Sequence, residues 1–230
     1  MPIVTHKIKH FFHIFAFVMD DKRFLLELIS EGEHGQQDFK YRVDDARKLA
    51  RSVSAFANTD GGRLLIGVRD DGMIAGVRTE GEIHVMHQAA FKYCQPEASI
   101  RFDTYHAEGK AVVIATVPPS EKKPICAPDE EGQMRAYIRI KDENIVASPV
   151  LFMLMQESQQ PQGALLTMDE DIRRLLSMMD EPLTLNQLVR LVRLPRPKVV
   201  ALLAHLIRFG TVRWEYVDQE FRFSLASEGC

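Results

Sequence analysis

Between Pro182 and Trp214 the chain carries Arg190, Arg193, Arg196, Lys198, Arg208 and Arg213 and not one Asp or Glu. Cations at that density, with no carboxylates among them, are the groups that neutralise phosphates. The whole chain is slightly acidic, with 29 Lys plus Arg against 32 Asp plus Glu and a formal charge of −3. A uniformly basic coat is therefore excluded, and any surface for nucleic acid must be local. Drawn as a helix, residues 196–209 place Lys198, Ala201, Ala204, His205 and Arg208 on one side and Val199, Leu202, Leu203, Leu206 and Phe209 on the other. On the polar side, base edges come within reach of Lys198, His205 and Arg196 only. Other chemistries leave no signature. Cys94, Cys126 and Cys230 stand far apart and form no CxxC pair, and no HExxH or GxxxxGK[ST] occurs. His84 and His87 lack nearby carboxylates, and Asn58-Thr59-Asp60-Gly61-Gly62 ends a helix rather than opening one that would cradle a phosphate.

The elements that must present the basic segment are sharply marked. Thr167 with Glu170, and Thr184 with Gln187, fit the capping box, so helices start after each threonine. Pro195 and Pro197 suit a helix entrance, and Gly210 a helix exit. Residues 212–217 and 221–225, joined by Asp218-Gln219, then read as a two-stranded ribbon. Three helices and a ribbon in this order predict a winged helix-turn-helix domain over 165–226, with Arg193, Arg196, Lys198, His205, Arg208 and Arg213 facing nucleic acid. The Gln-rich stretch 156–164 reads as a linker, and 227–230 as a tail.

Upstream, 46% hydrophobic and 27% charged residues are ordinary for a soluble domain. Phe24, Leu25, Leu28 and Ile29 recur at helical spacing, and residues 38–43 alternate as a strand, with Phe39, Tyr41 and Val43 on one face and Lys40 and Arg42 on the other. A helix stripe runs from Ala46 to Ala57, Leu64 to Val68 is a buried strand, and Asp70-Asp71-Gly72 is a hairpin turn. A helix over 83–93, a strand pair at 100–105 and 111–117, a strand at 137–140 and a closing helix at 150–155 complete an α+β arrangement. The apolar extension 1–19, with Phe11, Phe12, Phe15 and Phe17, is too short to span a bilayer and shows no small-residue cleavage site, so a membrane role is not expected. The sparse cysteines point to a cytoplasmic setting.

Glu33, Asp38-Phe39-Lys40, Ala55-Phe56-Ala57-Asn58-Thr59-Asp60-Gly61-Gly62, Ile66-Gly67-Val68-Arg69-Asp70-Asp71-Gly72 and Gly76 form an ordered series that continues through Val117-Pro118-Pro119-Ser120, Lys123-Pro124 and Tyr137-Ile138-Arg139. Residues 20–155 thereby resemble the Schlafen/AlbA-2 domain family. The resemblance implies a mixed α/β sandwich followed, as in bacterial members, by a winged helix. It also implies two different activities. One is nucleic-acid binding, here as a DNA-binding transcriptional regulator that needs no cofactor. The other is cleavage of structured RNA, in which Glu33, Asp38 and Asp70 would hold Mg²⁺ or Mn²⁺ as catalytic metal ligands. Asp-Phe-Lys stands here where the family usually has Glu-Phe-Lys, which withdraws one carboxylate by a methylene. Lys40, Arg42, Arg47 and Arg51 would neutralise backbone under either activity. A single copy of the domain, where eukaryotic Schlafen proteins carry two, implies a homodimer, with the Phe11–Phe17 stretch as the candidate contact.

Overall fold

The computed structural model describes residues 21–77, 81–157 and 169–226. It divides into two units, residues 1–120 with 125–145 and residues 121–124 with 146–230. The linker at 156–164 lies almost wholly outside the described residues, as do Thr167, the extension 1–19 and the tail 227–230.

The first unit is built on a four-stranded sheet of order β1-β2-β4-β3. β1 (Gln37–Lys40) runs parallel to β2 (Gly62–Ile66), while β2 with β4 (Lys110–Val117) and β4 with β3 (Arg101–Ala107) are antiparallel. The near-continuous apolar runs of β2 and β4 follow from cover on both faces. Leu64, Ile66, Val113, Ala115 and Val117 enter one core with Phe56 of α2 (Ala46–Asn58), and Leu65, Val112 and Ile114 enter another with Leu25 and Leu28 of α1 (residues 21–30). Adjacent residues thus serve opposite cores, as the two-residue period of a strand requires. α2 is capped by the Asp45 carboxylate, which accepts from the Arg47 and Lys48 amides. α3 (Gly81–Gln88) runs into a π-helical turn at Ala89–Tyr93. A second sheet, β5-β6-β7 (Cys126–Pro128, Met134–Ile140, Glu143–Val146), packs against α2 through β5 and β6.

The strand expected over 38–43 is shorter than its alternation predicts. It ends at Lys40, whose carbonyl accepts from the Gly67 amide. Beyond that point the two-residue period no longer applies: Phe39 joins the α1 core, Val43 joins the α2 core, and Tyr41 is exposed.

In the second unit, α5 (Glu170–Leu176), α6 (Leu185–Val192) and α7 (Arg196–Arg208) are followed by β9 (Val212–Val217) and β10 (Glu220–Leu225). β10 pairs with β9 and with the short β8 (Leu183–Thr184) in a three-stranded sheet. Thr184 and Gln187 form the expected capping box. α5 instead takes its cap from Asp169, whose carboxylate accepts from the Ile172 amide, so the helix begins at Glu170. The helix expected to close the first domain forms as α4 (Pro149–Glu157), but it packs along α7 and buries Val150 in the second core. The buried face of α7 is correspondingly wider than its periodicity predicts. Val200 and Ala204 are buried, while Phe209, expected inside, is 45% exposed and rests on the His205 ring.

Candidate nucleic-acid interface

In the first unit the acidic and basic candidates meet beside β1. Glu33 accepts the Phe39 amide at 2.8 Å, and its side chain is hydrogen bonded to Asp38. Burial first, and then that bond, push the Glu33 carboxyl above the ordinary carboxylate range. Asp38 is buried and pairs through one oxygen with Lys40 Nζ at 2.7 Å and through the other with an Arg139 guanidinium nitrogen at 3.4 Å.

Arg139 is the residue that sequence reasoning passed over. It is 8% exposed, stacks over the Phe56 ring at 5.1 Å, donates to Asn144 Oδ1 at 3.0 Å, and leaves its buried Nε without a partner. The available signal was an arginine inside the apolar run Tyr137-Ile138-Arg139-Ile140, because a strand buried at that position tolerates a charge only beside a counter-charge.

Five cations, Lys40, Arg42, Lys48, Arg51 and Arg139, and five carboxylates, Asp38, Asp44, Asp45, Asp142 and Glu143, line a cleft of about 560 Å³, so its wall is balanced in charge. Of the four cations expected there, Arg51 is committed to the fold, donating to the Pro128 carbonyl at 3.0 Å and pairing with Glu130 at 3.5 Å. Arg47 is exposed, with its guanidinium 5.6 Å from the Tyr93 ring centre. Lys40 is tied to Asp38, and Arg42 stacks on Tyr41.

Asp70 stands apart from the Glu33–Asp38 pair. It is exposed in the turn closed by the Gly72 amide on the Arg69 carbonyl. Among the described residues no group of three or more His, Cys, Asp or Glu is placed to hold a metal ion. The donor set does not fit a divalent cation: both Asp38 oxygens already face cationic side chains, and Glu33 is biased toward its neutral form.

The motif between the two strands is architectural. Asn58 is buried and donates to the Ile125 and Tyr137 carbonyls at 2.8 Å each while accepting the Ile125 amide at 2.7 Å. At Gly62 a Cβ would meet the Phe56 ring at 2.3 Å. At Gly61, φ is +75° and a Cβ would meet Pro119 at 2.8 Å.

The sequence profile of the family described as "Schlafen, AlbA_2" matches residues 33–148, half of the chain. The chain belongs to the Schlafen, AlbA_2 family. Its matched segment runs from Glu33 to the residue before α4, and so contains the Asp38–Arg139 pair and the Asn58 clamp. No curated protein matches the chain. Among solved structures it is similar to the DIP2311 protein of Corynebacterium diphtheriae, at 22% identity and a TM-score of 0.42, covering 63% of this chain and 29% of that one. It is also similar to the N-terminal domain of an ATP-dependent DNA helicase RecG-related protein from Nitrosomonas europaea, at 21% identity and a TM-score of 0.38, covering 64% of this chain and 95% of that domain.

In the second unit the cations divide by partner. Lys198 is hydrogen bonded to the Asp171 carboxylate, which raises the Lys198 ammonium above its ordinary range. Arg196 donates to Asn186 Oδ1 at 2.6 Å and Arg213 to Ser224 Oγ at 3.0 Å, both neutral acceptors. Arg193 caps α6 in the left-handed conformation, with φ of 54°. Arg190, Arg193, Arg196 and Arg213 make no ion pair with a described residue. His205 and Arg208 lie on the more accessible side of α7 with Ala201, whereas Ala204 is buried and not on the polar face. No described helix is long and apolar enough to cross a membrane.

Proposed function

We propose that the protein binds nucleic acid, that its second unit is a winged helix-turn-helix docking on DNA, and that it serves as a transcriptional regulator. The observation that carries this reading is the set of arginines around the α6–α7 turn and on β9 that have no carboxylate partner among the described residues. Arg193 in the turn, Arg196 at the start of α7 and Arg213 on the ribbon occupy the positions that meet the duplex when a helix-turn-helix enters the major groove. Their neutral partners orient the guanidiniums without cancelling the charge, so they remain available to phosphates. Lys198 contributes less than its position suggests, because Asp171 already neutralises it. Membership of the Schlafen, AlbA_2 family supports a nucleic-acid role for the first unit. Two-fold pairing of chains would give the DNA-reading unit paired half-sites, and a homodimer is part of the proposal.

The test incubates the full chain with duplex DNA and with transfer RNA, with Mn²⁺ or chelator, at two salt concentrations. Retention of DNA that weakens with salt and ignores the chelator is expected. Arg196→Gln with Arg213→Gln should lower the slope of log affinity against log salt by about one to two units. Cleavage that requires Mn²⁺ would overturn the binding reading in favour of a ribonuclease. Light scattering at micromolar concentration tests the dimer, and a monomeric mass would refute it.

A further inference from the structure

We infer that the first unit holds a phosphate-binding pocket beside the 560 Å³ cleft, formed by Arg42, Arg69 and Lys110 around Tyr41, and that its ligand is one backbone phosphate of a nucleic-acid strand. The inference rests on the nucleic-acid reading and adds a specific grip to it.

The pocket follows from how the parallel strands end. Lys40 is in register with Ile66, and the Gly67 amide donates to the Lys40 carbonyl at 2.8 Å, so Tyr41-Arg42 and Val68-Arg69 leave the sheet side by side. Both guanidiniums then reach the same ring: Arg42 and Arg69 each lie 5.0 Å from the Tyr41 centroid. Cation–π contact with one exposed ring fixes two arginines that repel each other. Neither makes an ion pair with a described residue. Arg42 spends one long hydrogen bond, 3.4 Å, on Tyr41 Oη, and Arg69 makes no side-chain hydrogen bond.

Lys110 enters from the start of β4, with Nζ donating to the Ile74 carbonyl at 2.7 Å, and has further ammonium hydrogens to offer. These three cations and one carboxylate, Glu82, line a pocket of about 240 Å³. Asp70 and Asp71, on the adjoining turn, are not in its lining, and Asp71 accepts the Met73 amide at 2.9 Å.

Among the described residues three cations stand against one carboxylate, which makes an anion site, and the planar, fork-shaped donors of arginine match phosphate oxygens two at a time. The volume is below the roughly 300–1,000 Å³ of sites that enclose a whole small ligand, which suits a phosphate with its base left outside. Arg42 also lines the neighbouring cleft, where five carboxylates match five cations, so the excess of positive charge that would hold a phosphate sits at the Arg42–Arg69 end.

The test measures fluorescence anisotropy of a labelled single-stranded oligonucleotide across a salt series, using the full chain and Arg42→Gln/Arg69→Gln. Arg101→Gln, a loss of charge at a cation paired with Asp103 on β3, is the control. Loss of one phosphate contact should lower the slope of log affinity against log salt by roughly 0.7, with the control unchanged. Arg69→Lys should keep the slope and weaken binding, because charge remains while the fork is lost. Both arginines are exposed, and a thermal melt checks that the variants fold. If the chain binds the strand but the double variant keeps the full slope, the pocket is refuted and the nucleic-acid reading stands. A parallel titration with inorganic phosphate separates the remaining outcomes. Phosphate bound without any strand binding would overturn the backbone assignment in favour of a free anion, and binding of neither would overturn the pocket, while the nucleic-acid reading falls only if duplex DNA and transfer RNA are also not retained.

Discussion

Replacing Asn58 by Ala should destabilise the first unit while leaving the second untouched. The carboxamide fills three backbone needs at once: it donates to the Ile125 and Tyr137 carbonyls and accepts the Ile125 amide. Ser54 Oγ also donates to the Ile125 carbonyl at 2.8 Å, so that oxygen keeps a partner in the variant. The Ile125 amide and the Tyr137 carbonyl lose theirs, and Ile125 is fully buried. At about 1–3 kcal/mol for each buried group left unsatisfied, the two together cost about 2–6 kcal/mol. That is a large fraction of the roughly 5–15 kcal/mol by which a domain is stable. The chain has a single tryptophan, Trp214, on β9 of the second unit, which gives the experiment an internal reference. In a urea titration the circular-dichroism transition of the first unit should move to lower denaturant, while the Trp214 fluorescence transition stays in place. Ser30→Ala, which removes an exposed local hydrogen bond to the Glu27 carbonyl, should cost within about 0.5 kcal/mol. An Asn58→Ala shift no larger than that of Ser30→Ala would refute the clamp, and with it the architectural reading of the motif.

Three further outcomes follow from the same contacts. Because Glu33 has its folded pKa raised, its neutral form is favoured by the fold: the contribution is full below the ordinary value of 4.5 and is lost as pH rises through the folded pKa. Glu33→Gln, which mimics the neutral acid, should therefore gain stability relative to the parent chain as pH increases from 4 to 7, and an advantage that shrinks over about that range would contradict the assignment. Burial pushes the Cys94 thiol up to about 12, so at pH 8 iodoacetamide should modify Cys94 only after unfolding, as read by peptide mass mapping. Gly62→Ala places a methyl at 2.3 Å from the Phe56 ring and should lower the melting temperature of the first unit, by an overpacking cost of about 1–3 kcal/mol.

The order of the elements was legible where local chemistry decides it. The capping box at Thr184, the hairpin of β3 and β4 and the glycine pair after α2 stand where residue type and spacing place them. Misreadings arose where a distant element intervenes. Periodicity alone cannot say that α4 folds against α7, so it misassigned α4, left Ala204 on the surface and put Phe209 inside. The alternation of residues 38–43 is real in sequence, but the strand ends when the Gly67 amide takes the Lys40 carbonyl. At the candidate site, Glu33 and Asp38 come together as the family resemblance implies, without Asp70, whereas the counter-charge from Arg139 arrives from a strand about a hundred positions away. Charge density marked the cations of the second unit, yet Asp171, outside the acid-free segment, already pairs with Lys198.

The position of α4 also decides where this chain can be cut. The family match stops at residue 148, and α4 begins at Pro149. A fragment extended to residue 155 would keep Val150, buried in the second core of the intact chain, on a helix stripped of α7. One begun at residue 165 would bare the Val200 and Ala204 side of α7 and make a sticky, poorly soluble piece from a sound one. Expression boundaries drawn between β7 and α4 keep Val150 with the second core it fills, and limited proteolysis that preserves α4 on the second fragment is the laboratory counterpart of that seam.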